Sequence, residues 1–281
     1  MCLAGTTEHA HGHSHNHDDD HGHTGRISRR SLFTGGAAAA MLAAMPAGPA
    51  RASGQIADLT HTLTAGFPVY GLDAPSRQTV LTIPQNGVYM QNWTFGEHSG
   101  THVDVPGHFQ TGGRLLDEIT PAELVLPIAV LDISARVASN PDTQVNVADI
   151  QQHENTYGQI PAGSVVFMYS GWESRLQSGA AAYRGEDANG VFHFPGWSAA
   201  AVSWLLNHRG ISSVGVDTLS LDPGPSTTFD VHNLLLGDAD RIGLENVAHL
   251  ATIPRAGAVL SIGAIPLQDG SGGPCRLLAT W

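Results

Sequence analysis

The stretch FGEHSGTHVDVPGHF, residues 95–109, sets His98, His102, Asp104 and His108 among glycines, valines and a proline. An ordinary helix is excluded here. Pro106 in a helix interior costs about 3 kcal/mol, and Gly100, Thr101, Val103 and Val105 are all weak helix formers. The segment is therefore extended or looped, and because side chains alternate along a strand, His102 and Asp104 share one face. His98 stands four residues earlier, about 13 Å away in a fully extended chain, whereas each nitrogen that binds an ion comes within about 2.1 Å of it. The chain must bend for His98 to join the other two, and Ser99-Gly100 is where it can. Two neutral imidazoles and a carboxylate form an open three-ligand set that leaves positions for water and suits Zn²⁺ or Mn²⁺ better than soft metals.

The first 52 residues read as an address. SRRSLF (residues 28–33) precedes the small-residue apolar run GGAAAAMLAAM, and ARAS (50–53) supplies a cleavage-type sequence after Ala52. The pattern resembles a twin-arginine export signal, with the large apolar residue after the pair displaced by one position, and it predicts an exported protein, periplasmic or extracellular. Upstream lies HAHGHSHNHDDDHGH, whose histidines alternate with small polar residues and offer weak chelation of divalent metal. Residues 53–281 are then expected to form one domain. No run of 18 apolar residues suggests a membrane span, and Cys2 precedes LAG instead of following it, so no lipid anchor is expected. The formal net charge is −12 and the chain has no lysine, which makes nucleic acid an improbable partner. Beyond the leader only Cys275 remains, so no intrachain disulfide is available.

Short β-like runs recur at 56–63, 88–95, 126–133, 164–170, 211–218 and 258–265. The clearest helix is SAAAVSWLLNHRG (198–210), capped by Ser198 and ended by Gly210; VNVADIQQHE (145–154) and GLENVAHL (243–250) are weaker helical patterns. No internal repeat or linker is visible. The fold class expected is α+β, mixed and richer in strand than helix.

HSGTHVDVPGHF resembles the signature of the metal-dependent cyclase family, which includes bacterial kynurenine formamidases and isatin hydrolases. The resemblance extends to IADLTHTLTAGFPVYG (56–71), FPGWSAAAVSWLLNHRGISSVGVDTLSLD (194–222) and VHNLLLGDADRIGLENVAHL (231–250). It implies a swivelling β/β/α domain that assembles as a homo-oligomer, dimer or tetramer. It also implies that His98, His102 and Asp104 hold a first ion, and that in the formamidases Asp104 bridges to a second held by His232 and Glu245. Isatin hydrolases use a single manganese, so one or two ions of zinc or manganese per chain stay open. His108 is implied as the catalytic proton-transfer residue, and it lies beyond Pro106-Gly107, which turn the chain away from the line of His102 and Asp104. Glu245 follows His232 by too long an interval for one helical face, so the two must come from separate elements.

The reaction so implied is hydrolysis of a small aromatic amide, formamide or cyclic amide, with an ion that lowers the pKa of bound water from about 15.7 towards 7. No GxSxG elbow offers a serine nucleophile. Phe67, Tyr70, Trp93, Phe109 and Trp172 are candidate substrate contacts. Tyr70 stands where a formamidase has tryptophan after FPV, and export sets the chain apart from tryptophan catabolism, which is normally cytoplasmic; both weaken the case for kynurenine. From a different class, a secreted metal-storage protein would bind several ions loosely and turn over nothing.

Overall fold

The computed structural model of the chain describes residues 54–71 and 73–281; the histidine-rich leader and the export signal lie outside the described residues. Twelve strands are present among them: β1 (Ile56–Asp58), β2 (Ser76–Leu81), β3 (Met90–Thr94), β4 (His102–Asp104), β5 (Val125–Asp132), β6 (Gln144–Val145), β7 (Val165–Tyr169), β8 (Gly196–Trp197), β9 (Ser213–Val216), β10 (Ile242–Glu245), β11 (Ala256–Ala264) and β12 (Gly272–Thr280). Eight form one sheet in the order β1-β12-β11-β5-β7-β9-β10-β4, and β4 pairs back onto β12. That last pairing closes the sheet on itself as a barrel and leaves β4 without a free edge. β5, β7, β9 and β10 run parallel, whereas β4 is antiparallel to both of its neighbours.

Two apolar clusters explain why the strands read as continuous hydrophobic runs. Val165 and Phe167 of β7 join Ile128 and Val130 of β5 in one cluster, while Val166 and Met168 join Ala129 and Leu131 in the other. Both faces are thus covered, as parallel strands require. The second face is covered by two helices. Val147–Tyr157 is capped by Asn146, whose side chain accepts from Ala148 N and Asp149 N, and Ala199–Arg209 is capped by Ser198 and closed by Gly210 in a left-handed conformation. The mixed, strand-rich expectation holds.

Two stretches differ from the sequence reading. GLENVAHL is not a helix: Ile242–Glu245 is strand β10, and Asn246 and His249 adopt left-handed backbone angles. Ile242 and Leu244 pack inward while Glu245 takes the other face, a period of two that a short apolar run disguises. The run at 56–63 shortens to β1 plus an isolated bridge from Thr60 to Val247. The long strand β12 went unread because it begins Gly-Gly-Pro, although its Cys275, Leu277 and Ala279 alternate into the core.

Candidate metal centre and cavity

Val103 points into the barrel, so its neighbours His102 and Asp104 point out of it, onto the seam between β4 and β10. Glu245 is paired directly opposite His102, which brings it to the same face. The bend expected before His102 is present: Gly100 has φ +67°, and a Cβ there would come within 2.9 Å of Leu63 Cδ1. A side chain at Gly272, opposite Asp104 on β12, would stand 2.6 Å from the His98 ring. These two glycines let His98 fold back to Asp104, with Nδ1 2.7 Å from Oδ1.

His232 arrives from another element, the helical turn Asp230–His232, and its Nε2 lies 3.1 Å from Glu245 Oε1 and 3.5 Å from Asp104 Oδ2. His102 Nε2 lies 3.2 Å from Asp104 Oδ1 and 3.4 Å from Glu245 Oε2. Asp104 therefore turns one oxygen to His98 and His102 and the other to His232. His108 follows in the turn Pro106–His108, with its ring stacked on that of His98 at a centroid distance of 3.8 Å. All six residues expected from the sequence thus meet at one place.

An outer layer fixes which ring nitrogen faces the centre. His102 Nδ1 donates to Gly100 O at 2.9 Å, and His232 Nδ1 donates to Asp222 Oδ2 at 2.6 Å, so both rings turn Nε2 inward. Ser271 Oγ donates to Glu97 Oε2 and lies 3.0 Å from His98 Nε2, so the His98 ring is anchored between Ser271 and Asp104. Glu245 Oε1 accepts from Leu221 N. Asp222, Glu97 and Ser271 carry no assignment from sequence reasoning. The one available signal was Asp222, a carboxylate shortly before His232, and only the fold shows that the two touch.

The charges show what the cluster lacks. Burial works against a charged His102, but the Asp104 charge and the close approach of Asp104 and Glu245 outweigh it and hold its pKa at about 10. Burial likewise opposes charge on His232, and contacts with Asp104, Asp222 and Glu245 raise its pKa well above the usual value. Asp104 is correspondingly held well below the ordinary carboxylate range, against its burial, by the neighbouring imidazoles. No arginine takes part in these contacts, so protons on imidazoles balance the two buried carboxylates. His102 Nε2 and Asp104 Oδ2 are nevertheless buried without a hydrogen-bond partner. A divalent cation satisfies both orphaned atoms and replaces those protons, and the donor set of imidazole and carboxylate suits zinc or manganese. Donor atoms of His102, Asp104 and Glu245, and separately of His98, Asp104 and His108, lie within 4.8 Å of one another.

A cavity of about 280 Å³ opens onto this cluster. Its lining mixes His98, His108, His232 and Glu245 with Tyr70, Phe109, Leu219 and Phe229, together with Ser220 and Asn246. Phe109 stacks on His232 at 4.6 Å, and Phe229 and Asn246 hold left-handed backbone angles, the kind of strain that collects at binding sites. Of the aromatic candidates, Tyr70 and Phe109 reach the cavity. Phe67 and Trp172 are buried in the core, Trp172 donating from Nε1 to Tyr183 O, and Trp93 lies beneath Arg77 on the β2–β3 hairpin. Phe229 was missed by sequence reasoning.

Comparison with known proteins agrees with this geometry. The family model described as "Putative cyclase" matches residues 57–223. Isatin hydrolase of Roseibium aggregatum is 34% identical over 197 residues, 67% of this chain and 73% of that protein. Kynurenine formamidase of Bordetella pertussis is 25% identical over 193 residues, 68% of this chain and 81% of that protein. The solved structure of isatin hydrolase A from Ralstonia solanacearum superposes with a TM-score of 0.76 at 33% identity, covering 80% of this chain and 91% of that one. The chain belongs to the cyclase family. It is a metal-dependent hydrolase acting on non-peptide amide C–N bonds.

Proposed function

We propose that this protein opens the C–N bond of a small cyclic amide fused to an aromatic ring, the chemistry of isatin. The observation that carries the reading is the mixed lining of the cavity, in which aromatic side chains stand beside imidazoles and a carboxylate. The higher identity to isatin hydrolase than to the formamidases supports it. His98, His102 and Asp104 would hold a first ion of zinc or manganese, and Asp104, His232 and Glu245 a second. The two-sided placement of the Asp104 oxygens supports the pair. When bound, such an ion supplies Lewis acidity and lowers the pKa of bound water towards about 7.

The chain's own groups do the rest. Tyr70, Phe109 and Phe229 hold the aromatic ring and keep solvent from that side. His108 has its pKa lowered, first by burial and then by the neighbouring His98 and His232, against the pull of Asp104. It is therefore neutral at pH 7, able to take a proton from the attacking water and return it to the leaving nitrogen. Its ring lines the cavity, stacked on His98, where it can meet the substrate.

The test is hydrolysis of isatin beside an N-formyl-aryl amide, with metal content measured, on protein beginning at Ser53. Faster opening of isatin supports the cyclic-amide reading; faster cleavage of the formamide moves the assignment to an arylformamidase; several loosely held ions and no turnover favour storage. We further propose export by the twin-arginine route, on the sequence pattern at residues 28–53. Replacing Arg29 and Arg30 by lysine should trap unprocessed protein inside, and normal secretion of that variant would refute it.

A further inference from the structure

Strand β10 ends in an abrupt turn beside the metal centre. Asn246, the residue after Glu245, holds φ at +52°, a left-handed angle that asparagine tolerates but does not favour. It is held there from three directions. Its N–H donates to Thr218 O at 2.9 Å, its carbonyl accepts from the Thr101 hydroxyl at 2.6 Å, and its side-chain Oδ1 accepts from the Tyr183 hydroxyl at 2.9 Å. Thr101 directly precedes His102, so Asn246 ties the chain beside Glu245 to the chain beside His102.

Two of these bonds use only the backbone of residue 246, and any residue could make them. The third needs both the asparagine and the tyrosine. Tyr183 is fully buried, and burial first, then the Asp217 charge, holds its pKa well above the ordinary phenol value, so the hydroxyl keeps its proton and donates. The tyrosine is itself fixed. Trp172 Nε1 donates to Tyr183 O, and the Asp217 carboxylate accepts from the backbone of Ser170, Gly171 and Trp172 and from the Ser170 hydroxyl. A run of buried hydrogen bonds and packed rings thus leads from Asp217 to the residue after Glu245. Phenylalanine at 183 would fill the same core space, so what the hydroxyl adds is polar: the bond to Asn246 and an approach of 3.2 Å to Asp217 O. Without that tether the left-handed turn competes with ordinary backbone angles, and Glu245 is free to shift from its place opposite His102, where its carboxylate oxygens stand 3.4 Å from His102 Nε2 and 3.1 Å from His232 Nε2.

We propose that Tyr183 is a positioning residue for the metal centre, whose hydroxyl fixes Asn246 in the left-handed turn and through it aims the Glu245 carboxylate. This rests on the reading above in which Glu245 is a metal ligand.

The experiment measures affinity for Mn²⁺ and Zn²⁺ by competition with a chromogenic chelator, beside the thermal midpoint of the metal-free protein. Tyr183→Phe should weaken metal binding by about three- to tenfold, less than the 10- to 100-fold typical of a direct partner of a ligand. Glu245→Gln should weaken it more. Glycine adopts a positive φ without a side-chain tether, so the double variant of Tyr183→Phe with Asn246→Gly should bind metal as tightly as Asn246→Gly alone. A hydroxyl with only a structural role would lower the midpoint and leave the affinity unchanged. Tyr183→Phe with wild-type metal affinity therefore overturns the proposal, and so does an undiminished loss in the glycine background, which would mean that the hydroxyl acts elsewhere. If the glycine variant does not fold, Tyr183→Phe decides alone, because it removes one oxygen and keeps the ring. Wild-type metal affinity in Glu245→Gln overturns the ligand reading, and this proposal with it; a loss in Glu245→Gln with none in Tyr183→Phe overturns this proposal alone.

Discussion

The site rests on two supports, a strand wall that carries part of the metal centre and a loop wall that carries the aromatic lining of the cavity. His102, Asp104 and Glu245 sit on β4 and β10, where a ladder with fixed register and a closed barrel set each side chain's direction. Tyr70, Phe109 and Phe229 come from irregular segments far apart in sequence, one of them held at φ 50°. The strand wall is suited to holding charge in place, since a ligand displaced by an ångström no longer binds. The loop wall is suited to variation, because an aromatic side chain on a loop can change without disturbing the ladder. Three of the six residues of the metal centre and the aromatic contacts thereby rest on different physical supports.

The largest effect should come from the strand wall. His102→Ala should lose metal and turnover together, because the protein then lacks both a ligand and the imidazole opposite Glu245. Metal analysis beside activity checks this, and retained metal with full activity would break the division. His108→Ala lies at the boundary between the walls. It should keep the metal and lose activity by about 10² to 10⁴-fold, the usual worth of a positioned acid–base group. Since the pKa of His108 is lowered, the wild-type rate should fall on the acid side below its ordinary value of 6.5, and that limb should vanish in the variant.

Much of the strand wall was legible in the sequence because spacing alone constrains it. His102 and Asp104 two apart on an extended segment share a face whatever the fold, and Gly100 marked the bend that returns His98. The helix at 198–210 declared itself by its caps, and that at 145–154 by a weaker helical pattern. The loop wall was not legible. Nothing local distinguishes Phe229, which lines the cavity, from Phe67 or Trp172, which are core, because only tertiary packing decides where a loop aromatic ends. The outer layer was hidden for the same reason: Ser271 bonds His98 across 173 positions of chain.

Protonation offers an intermediate test of the strand wall. With the His102 pKa at about 10 without metal, its proton must leave when an ion binds. Metal affinity should therefore climb with pH between 6.5 and about 10, by about tenfold per unit for each proton released, and calorimetry in buffers of different ionisation enthalpy should register the release. The metal-free fold behaves oppositely. Because the folded pKa of His102 lies above its unfolded value of 6.5, its stabilising contribution is complete below 6.5 and is lost as pH rises through about 10.

Smaller effects should follow from the supporting layer and the loop wall. Asp222→Asn removes the charge that orients His232 and should weaken metal binding by about 10 to 100-fold, with the fold intact by circular dichroism. Tyr70→Ala should leave metal content untouched and raise KM for isatin by about two- to tenfold, the worth of one aromatic contact. A Tyr70 variant that loses metal would show that the two walls are not separable.

The most direct test of the central claim is turnover of isatin by protein beginning at Ser53, measured as delivered, after chelation, and after return of Zn²⁺ or Mn²⁺. The account predicts one or two tightly held ions per chain, loss of activity with their removal and recovery on their return. Activity that survives complete removal of metal, or ions held only when the histidine-rich leader is present, would contradict it.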